Sequence, residues 1–183
     1  MNGRRDHFEL KAQLMHWLMA PLVLAMLFVG VGMVSTTSTA YALLLAIHKP
    51  LGTLLLVLAL LRIAVRLRHR PPALPGDTPR WQRCASWLSH WLLYALLLAM
   101  PLIGWSMLSA AGHPIMLPGG IGLPPIVPRN LALFAWLRSA HHWLSLLLFA
   151  IILLHMAAAL FHGLVRRDGV MSSMASLRRR EGD

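Results

Sequence analysis

Four long apolar runs, separated by short polar or Pro/Gly-rich breaks, organise the chain. They fall at about 13–34, 43–65, 85–109 and 139–165, and each reaches the roughly 20 helical residues needed to cross a hydrocarbon core. Of the breaks, Ser35-Thr36-Thr37-Ser38-Thr39 is polar, and Pro71-Pro72-Ala73-Leu74-Pro75-Gly76-Asp77 interrupts any helix. Gly112 to Pro128 holds four Gly and five Pro. The pattern predicts an all-α protein, an integral membrane four-helix bundle forming one domain over 1–183, with a basic tail at 166–183. No internal repeat of useful strength is present. The first run follows Arg4, Arg5 and Lys11, and Ala40-Tyr41-Ala42 has the form of a signal-peptide cleavage site. Its apolar core, Leu14 to Val34, is longer than the ~7–15 residues of a signal-peptide core, so a retained span is expected.

Composition agrees with this division: 57% of the 183 residues are apolar and 13% charged. The net charge of +11 does not point to nucleic acid. A nucleic-acid binder spreads basic residues over a soluble face, whereas these form short clusters between apolar runs. Arg4, Arg5 and Lys11 precede the first run. Arg62, Arg66, Arg68, Arg70, Arg80 and Arg83 surround the second break, and Arg166, Arg167, Arg178, Arg179 and Arg180 follow the fourth run. All lie on one side of a four-span chain, against Lys49, Arg129 and Arg138 on the other. The positive-inside rule then predicts both termini in the cytoplasm, with the Arg178–Arg180 run set against anionic lipid.

A single cysteine, Cys84, excludes a disulfide framework and any four-cysteine metal site. The six carboxylates, Asp6, Glu9, Asp77, Asp168, Glu181 and Asp183, sit in tails or the middle connector, so no paired-carboxylate chemistry is available within the spans. Histidine is the conspicuous residue, since ionisable groups inside spans are costly. His141 and His155 are 14 residues apart, almost four helical turns, and so share one face at depths about 21 Å apart. With alternating span directions, His48 and His141 lie toward the outer surface and His16 and His155 toward the inner. Two His per site without carboxylate or thiolate suit a six-coordinate haem iron better than zinc. Gly52, four residues after His48, and Ala158 and Ala159, after His155, are small enough to admit a porphyrin, although small residues also let membrane helices approach closely. Spacing leaves His90, at a depth like that of His16, open as an inner ligand. His162 is placed either to bond a propionate or quinone carbonyl or to reach interfacial water. His142 faces away from His141, His113 is in a loop, and His7 and His69 sit among basic residues.

Gln13-Leu14-Met15-His16-Trp17, Ile47-His48 with Gly52, His90 and Tyr94 with Met100-Pro101-Leu102-Ile103-Gly104, Ala140-His141, and His155-Met156-Ala157-Ala158-Ala159 resemble the bacterial cytochrome b561 family over nearly the whole chain. The resemblance implies two b-type haems, with His16 and His155 as axial iron ligands of the inner haem and His48 and His141 of the outer. It leaves His90 beside the inner site. The Pro/Gly-rich Gly112–Pro128 stretch departs from the family's pattern.

The resemblance also implies an electron conduit between an outer one-electron donor, superoxide, and ubiquinone, hence an oxidoreductase of the superoxide:quinone type. Lys49, beside His48, and Arg138, three residues before His141, are candidates for steering an anion, or for pairing with propionates or lipid phosphate. An alternative in the redox class is a cytochrome b anchor subunit, or a carrier alone, exchanging quinol electrons with a periplasmic redox protein. A His-lined transporter is disfavoured by the absence of carboxylates within the spans.

Overall fold

A computed structural model of the chain describes residues 8–69 and 74–175. Arg4, Arg5, Asp6, His7, Arg70, Pro71-Pro72-Ala73 and the tail from Ser176, with Arg178–Arg180, Glu181 and Asp183, lie outside the described residues. Four long helices form: α1 Leu10–Ser35, α2 Ala40–Arg68, α3 Arg80–Ala111 and α4 Leu131–Leu160. A π-helical turn, Phe161–Arg166, continues α4, and a short α5 spans Val170–Ala175. All four long helices are long and apolar enough to cross a membrane, and no strand forms among the described residues. The chain is thus an all-α four-helix bundle of multi-pass membrane type.

Helix ends follow capping chemistry rather than the ends of the apolar runs. α4 begins at Leu131, eight residues before the expected 139, because Asn130 caps it: its Oδ1 accepts from the Leu133 N–H at 3.0 Å. The Asn130 N–H also donates to the Ala110 carbonyl at 2.9 Å, fastening the start of α4 to the end of α3. α3 stops at Gly112, whose φ of 79° lets the chain turn while its N–H and that of His113 close on Ser109 and Leu108. α2 runs on through Arg66 and Arg68, cations that suit the negative end of a helix. The loop between α3 and α4 is ordered by Leu117 N–H to Ile121 O at 2.8 Å and Leu123 N–H to Ile115 O at 2.9 Å.

The helices pack in sequence: α1 on α2, α2 on α3 and α3 on α4. Met19 of α1 meets Leu58 and Ala59 of α2 in the buried core, with Met15, Leu22, Leu97 and Leu98 around it. By contrast α4 hardly approaches α1 and α2, and Leu148 alone is buried along it among the described residues. A slot therefore separates α4 from the α1–α2 pair.

Beyond the C-terminal end of α4 the chain doubles back. Arg167, with φ of 50°, and Gly169, with φ of 81°, reverse its direction. α5 then returns to α1, where the Ser173 carbonyl accepts from Phe8 N–H at 3.2 Å and Gln13 Nε2 at 2.9 Å, and the Met174 carbonyl from Trp17 Nε1 at 3.0 Å. Gly163 permits this return, since a Cβ there would stand 3.3 Å from Met171 Cβ and closer still to its sulfur. Gly163→Val is expected to release α5, seen as faster proteolysis at Arg166 and Arg167 with the long helices intact; unchanged cleavage would show that the contact does not hold the segment.

Candidate functional site

Two histidine pairs face each other across the slot. His16 of α1 and His155 of α4 have ring centres 6.4 Å apart with planes at 61°. His48 of α2 and His141 of α4 are 6.2 Å apart at 65°. Two imidazoles on opposite sides of one metal, with metal–nitrogen bonds of about 2 Å, stand with ring centres roughly 6 Å apart. Both pairs match that separation, and they occur where α4 stands off from its neighbours. No cluster of three or more His, Cys, Asp or Glu with metal-site geometry occurs among the described residues; each pair brings two imidazoles, the number of protein ligands a six-coordinate haem iron takes.

The surroundings of each ring bear on ligation. The Nδ1 atom of His48 is buried without a hydrogen-bond partner among the described residues, and that of His141 is buried with only the Met100 carbonyl near enough to interact. Gly104 of α3 lies under the His141 ring: a Cβ there would be 3.5 Å from Cε1 and 3.8 Å from Nδ1. The sequence showed Gly104 within a motif but gave it no role, because only interhelical packing brings it to His141. His90 is 5.3 Å from His155, ring centre to centre, and its Nδ1–H donates to the Ser86 carbonyl at 2.6 Å. That bond leaves its Nε2 lone pair free. His16 differs, since Arg62 donates to its Nδ1 at 3.0 Å while the guanidinium lies 5.9 Å from the Tyr94 ring centre. Arg62 was read from sequence only as a topology charge.

Other candidates lie apart from the pairs. Gly52 faces α1, where its Cβ would be 3.5 Å from Met26 Cε. Lys49 is half-buried and Arg138 exposed; neither side chain forms an ion pair among the described residues. His142 is exposed, with its ring against Trp143, and His113 is exposed in the loop between α3 and α4.

His162 lies within the π-helical turn, and its Nδ1–H donates to Asp168 Oδ2 at 2.6 Å. Burial works against the Asp168 carboxylate, but hydrogen bonds from His162 and the Val170 N–H, with the charge of Arg166, hold its pKa below the ordinary 3.8. The stabilisation from this group is therefore full above that value and is lost as pH falls through the depressed folded-state pKa. Protection of α5 from proteolysis is expected to be constant from pH 7 to 5 and to weaken only in stronger acid; loss already at pH 5 would remove Asp168 as its anchor.

The long apolar helices and the imidazole pairs define a multi-pass membrane protein of the cytochrome b class. The family described as prokaryotic cytochrome b561 matches residues 7–176, and the chain belongs to it. Cytochrome b561 homolog 1 of Escherichia coli K12 is 28% identical over 142 residues, 78% of this chain and 80% of that protein. Cytochrome b561 homolog 2 of the same organism is 29% identical over 162 residues, 87% and 86% of the two chains. A Yersinia pestis protein named probable superoxide oxidase CybB is 32% identical over 134 residues, 73% and 75% of the two. Family membership implies haem b and a role in membrane electron transport.

Proposed function

We propose that the chain is a di-haem b cytochrome of the bacterial inner membrane, both termini cytoplasmic, that oxidises superoxide on the outer side and reduces ubiquinone. The observation that carries this reading is the pairing of His16 with His155 and of His48 with His141 at two depths, each near the separation of axial ligands on one iron. The name of the Yersinia relative supports superoxide as donor. Bound haem b supplies a one-electron couple at each depth. Over one cycle two superoxide ions each lose an electron to become dioxygen, and the quinone gains two electrons and two protons to become quinol. His48 and His141 would hold the outer iron and His16 and His155 the inner, with Gly104 keeping space at the His141 ring. Lys49 and Arg138, without ion-pair partners among the described residues, draw the anion inward. His162 bonds the quinone carbonyl near the inner surface.

Arg62 has a particular part in this scheme. Ligation through His16 Nε2 places the proton on Nδ1, which can then no longer accept from Arg62. The guanidinium is thereby released beside Tyr94, where a haem carboxylate is its natural partner. Arg62→Leu is expected to weaken inner-haem retention several-fold and spare the outer haem, measured by haem titration of purified protein. Equal retention of both haems would exclude that contact.

The reading is tested by mixing haem-loaded protein with xanthine oxidase as superoxide source and ubiquinone-1, following haem reduction and quinol formation. Haem reduction blocked by superoxide dismutase, with quinol appearing, is the expected result. Absence of haem bands in a reduced-minus-oxidised spectrum would end every redox reading. The outer loop exposes Met116, Ile121 and Ile126 at 54, 62 and 43%, which favours the anchor-subunit alternative, a docked protein donor, if superoxide fails.

A further inference from the structure

The His162 network is more elaborate than a quinone hydrogen bond needs. His162 and Asp168 are 15 and 10% exposed, so this is an enclosed pair rather than a solvated one. Arg166 Nε lies 3.4 Å from Asp168, while its other nitrogens donate at 2.8 Å to Gln82 of α3 and to Asp77 of the α2–α3 connector, the latter carboxylate 73% exposed. Asp168 Oδ1 also accepts from the Val170 N–H at 3.2 Å, which fixes the carboxylate on the returning chain. The whole arrangement depends on the π-helical turn and on Arg167 in the left-handed region, both of them departures from regular helix.

The chemistry of a half-buried imidazole with a carboxylate on Nδ1–H is specific. The carboxylate fixes the tautomer, leaving Nε2 to face a ligand, and it stabilises the imidazolium when Nε2 takes up a proton. Quinone reduction requires such a group, since the two electrons that reach the ring must be matched by two protons on its oxygens. We propose that Asp168 is a positioning residue that makes His162 the proton donor to the quinone; this rests on the quinone reading above. In each of two transfers the His162 Nε2–H bond breaks and an O–H bond forms on the quinone, the electron coming from reduced haem b. Nε2 then regains a proton from the aqueous phase at the inner end. Among the described residues the charged groups facing the pair are Arg166 and, through it, Asp77; Arg166 offsets part of the Asp168 charge and holds the carboxylate in place.

Asp168→Asn removes the charge while its amide oxygen can still accept from Nδ1–H, giving up only the weaker Val170 N–H bond; Asp168→Ala removes charge and acceptor together. Haem-loaded, chemically reduced protein is mixed with ubiquinone-1 in stopped flow from pH 5.5 to 9. The Asn variant is expected to keep haem content and superoxide-driven haem reduction, and to be reoxidised by quinone at least tenfold more slowly at pH 7.5. The pH above which the quinone step slows for want of protons should also move lower. Imidazole 15N shifts of His162 should show the Nδ1–H tautomer kept in Asp168→Asn and lost in Asp168→Ala. The role is overturned if wild type responds to quinone while Asp168→Asn matches it in rate and pH profile, or if both variants are slowed equally at every pH. If wild-type protein itself is not reoxidised by ubiquinone-1, the quinone reading fails, and this role with it.

Discussion

Alanine at His48 or at His141 is expected to remove the outer haem and leave roughly half the haem content, because on the function proposed above each pair would hold its own iron, and an axial imidazole is the main link between haem and protein. Alanine at His16 or His155 should do the same to the inner haem. The outer assignment has a single pair of rings to consider, 6.2 Å apart. The inner one has three, and this makes the experiment decisive. His155 lies 6.4 Å from His16 and 5.3 Å from His90. His90 already has the tautomer a ligand needs, through Ser86, whereas His16 must first be released by Arg62. Two geometric arguments favour His16 nonetheless. It faces His155 at the same separation that His48 keeps from His141, and the shorter His90 contact is tighter than opposite sides of one iron allow. Pyridine haemochrome assays of His16→Ala and His90→Ala separate the cases. Haem halved in the first and retained in the second is the expected result. The reverse would transfer the inner ligand to α3.

The spans were legible because a run of about 20 apolar residues has few other uses in a chain so poor in charge. The histidine pairs were legible because 14 residues on one helix fix both a shared face and a depth difference, whatever the neighbouring helices do. The start of α4 was not. Arg138 divides Leu131–Leu137 from the longer apolar run, and the capping role of Asn130 is local chemistry that hydropathy does not register. Gly104 and Arg62 depend on distances between helices, which spacing along one helix cannot supply. Asp168 was the least accessible. On a regular helix a residue six positions after His162 points about 240° around the axis from it. The π-helical turn and the reversal at Arg167 bring the two within 2.6 Å, and no periodic pattern announces either.

Charge reversal on the outer side tests which donor the protein serves. Lys49 adjoins His48 in sequence and Arg138 lies three residues before His141, so both belong to the His48–His141 end of the slot, and neither is tied to a carboxylate among the described residues. A free cation near an electron entry point raises the local concentration of a small anion, an effect worth about 10- to 1000-fold in rate when several charges act together. Lys49→Glu and Arg138→Glu are therefore expected to slow superoxide-driven haem reduction about tenfold each. They should also flatten its dependence on ionic strength, because surface steering is screened over roughly 8–10 Å at physiological salt. Haem content and reoxidation by ubiquinone-1 should stay at wild-type values, since neither residue is near the inner end. His162→Ala should give the opposite profile, with fast haem reduction and slow reoxidation. If charge reversal leaves both the donor rate and its salt slope untouched, a small anion is not being steered to this surface. A protein donor seated on the apolar outer loop then becomes the better account, and substitutions at Met116 and Ile121 should slow electron entry instead.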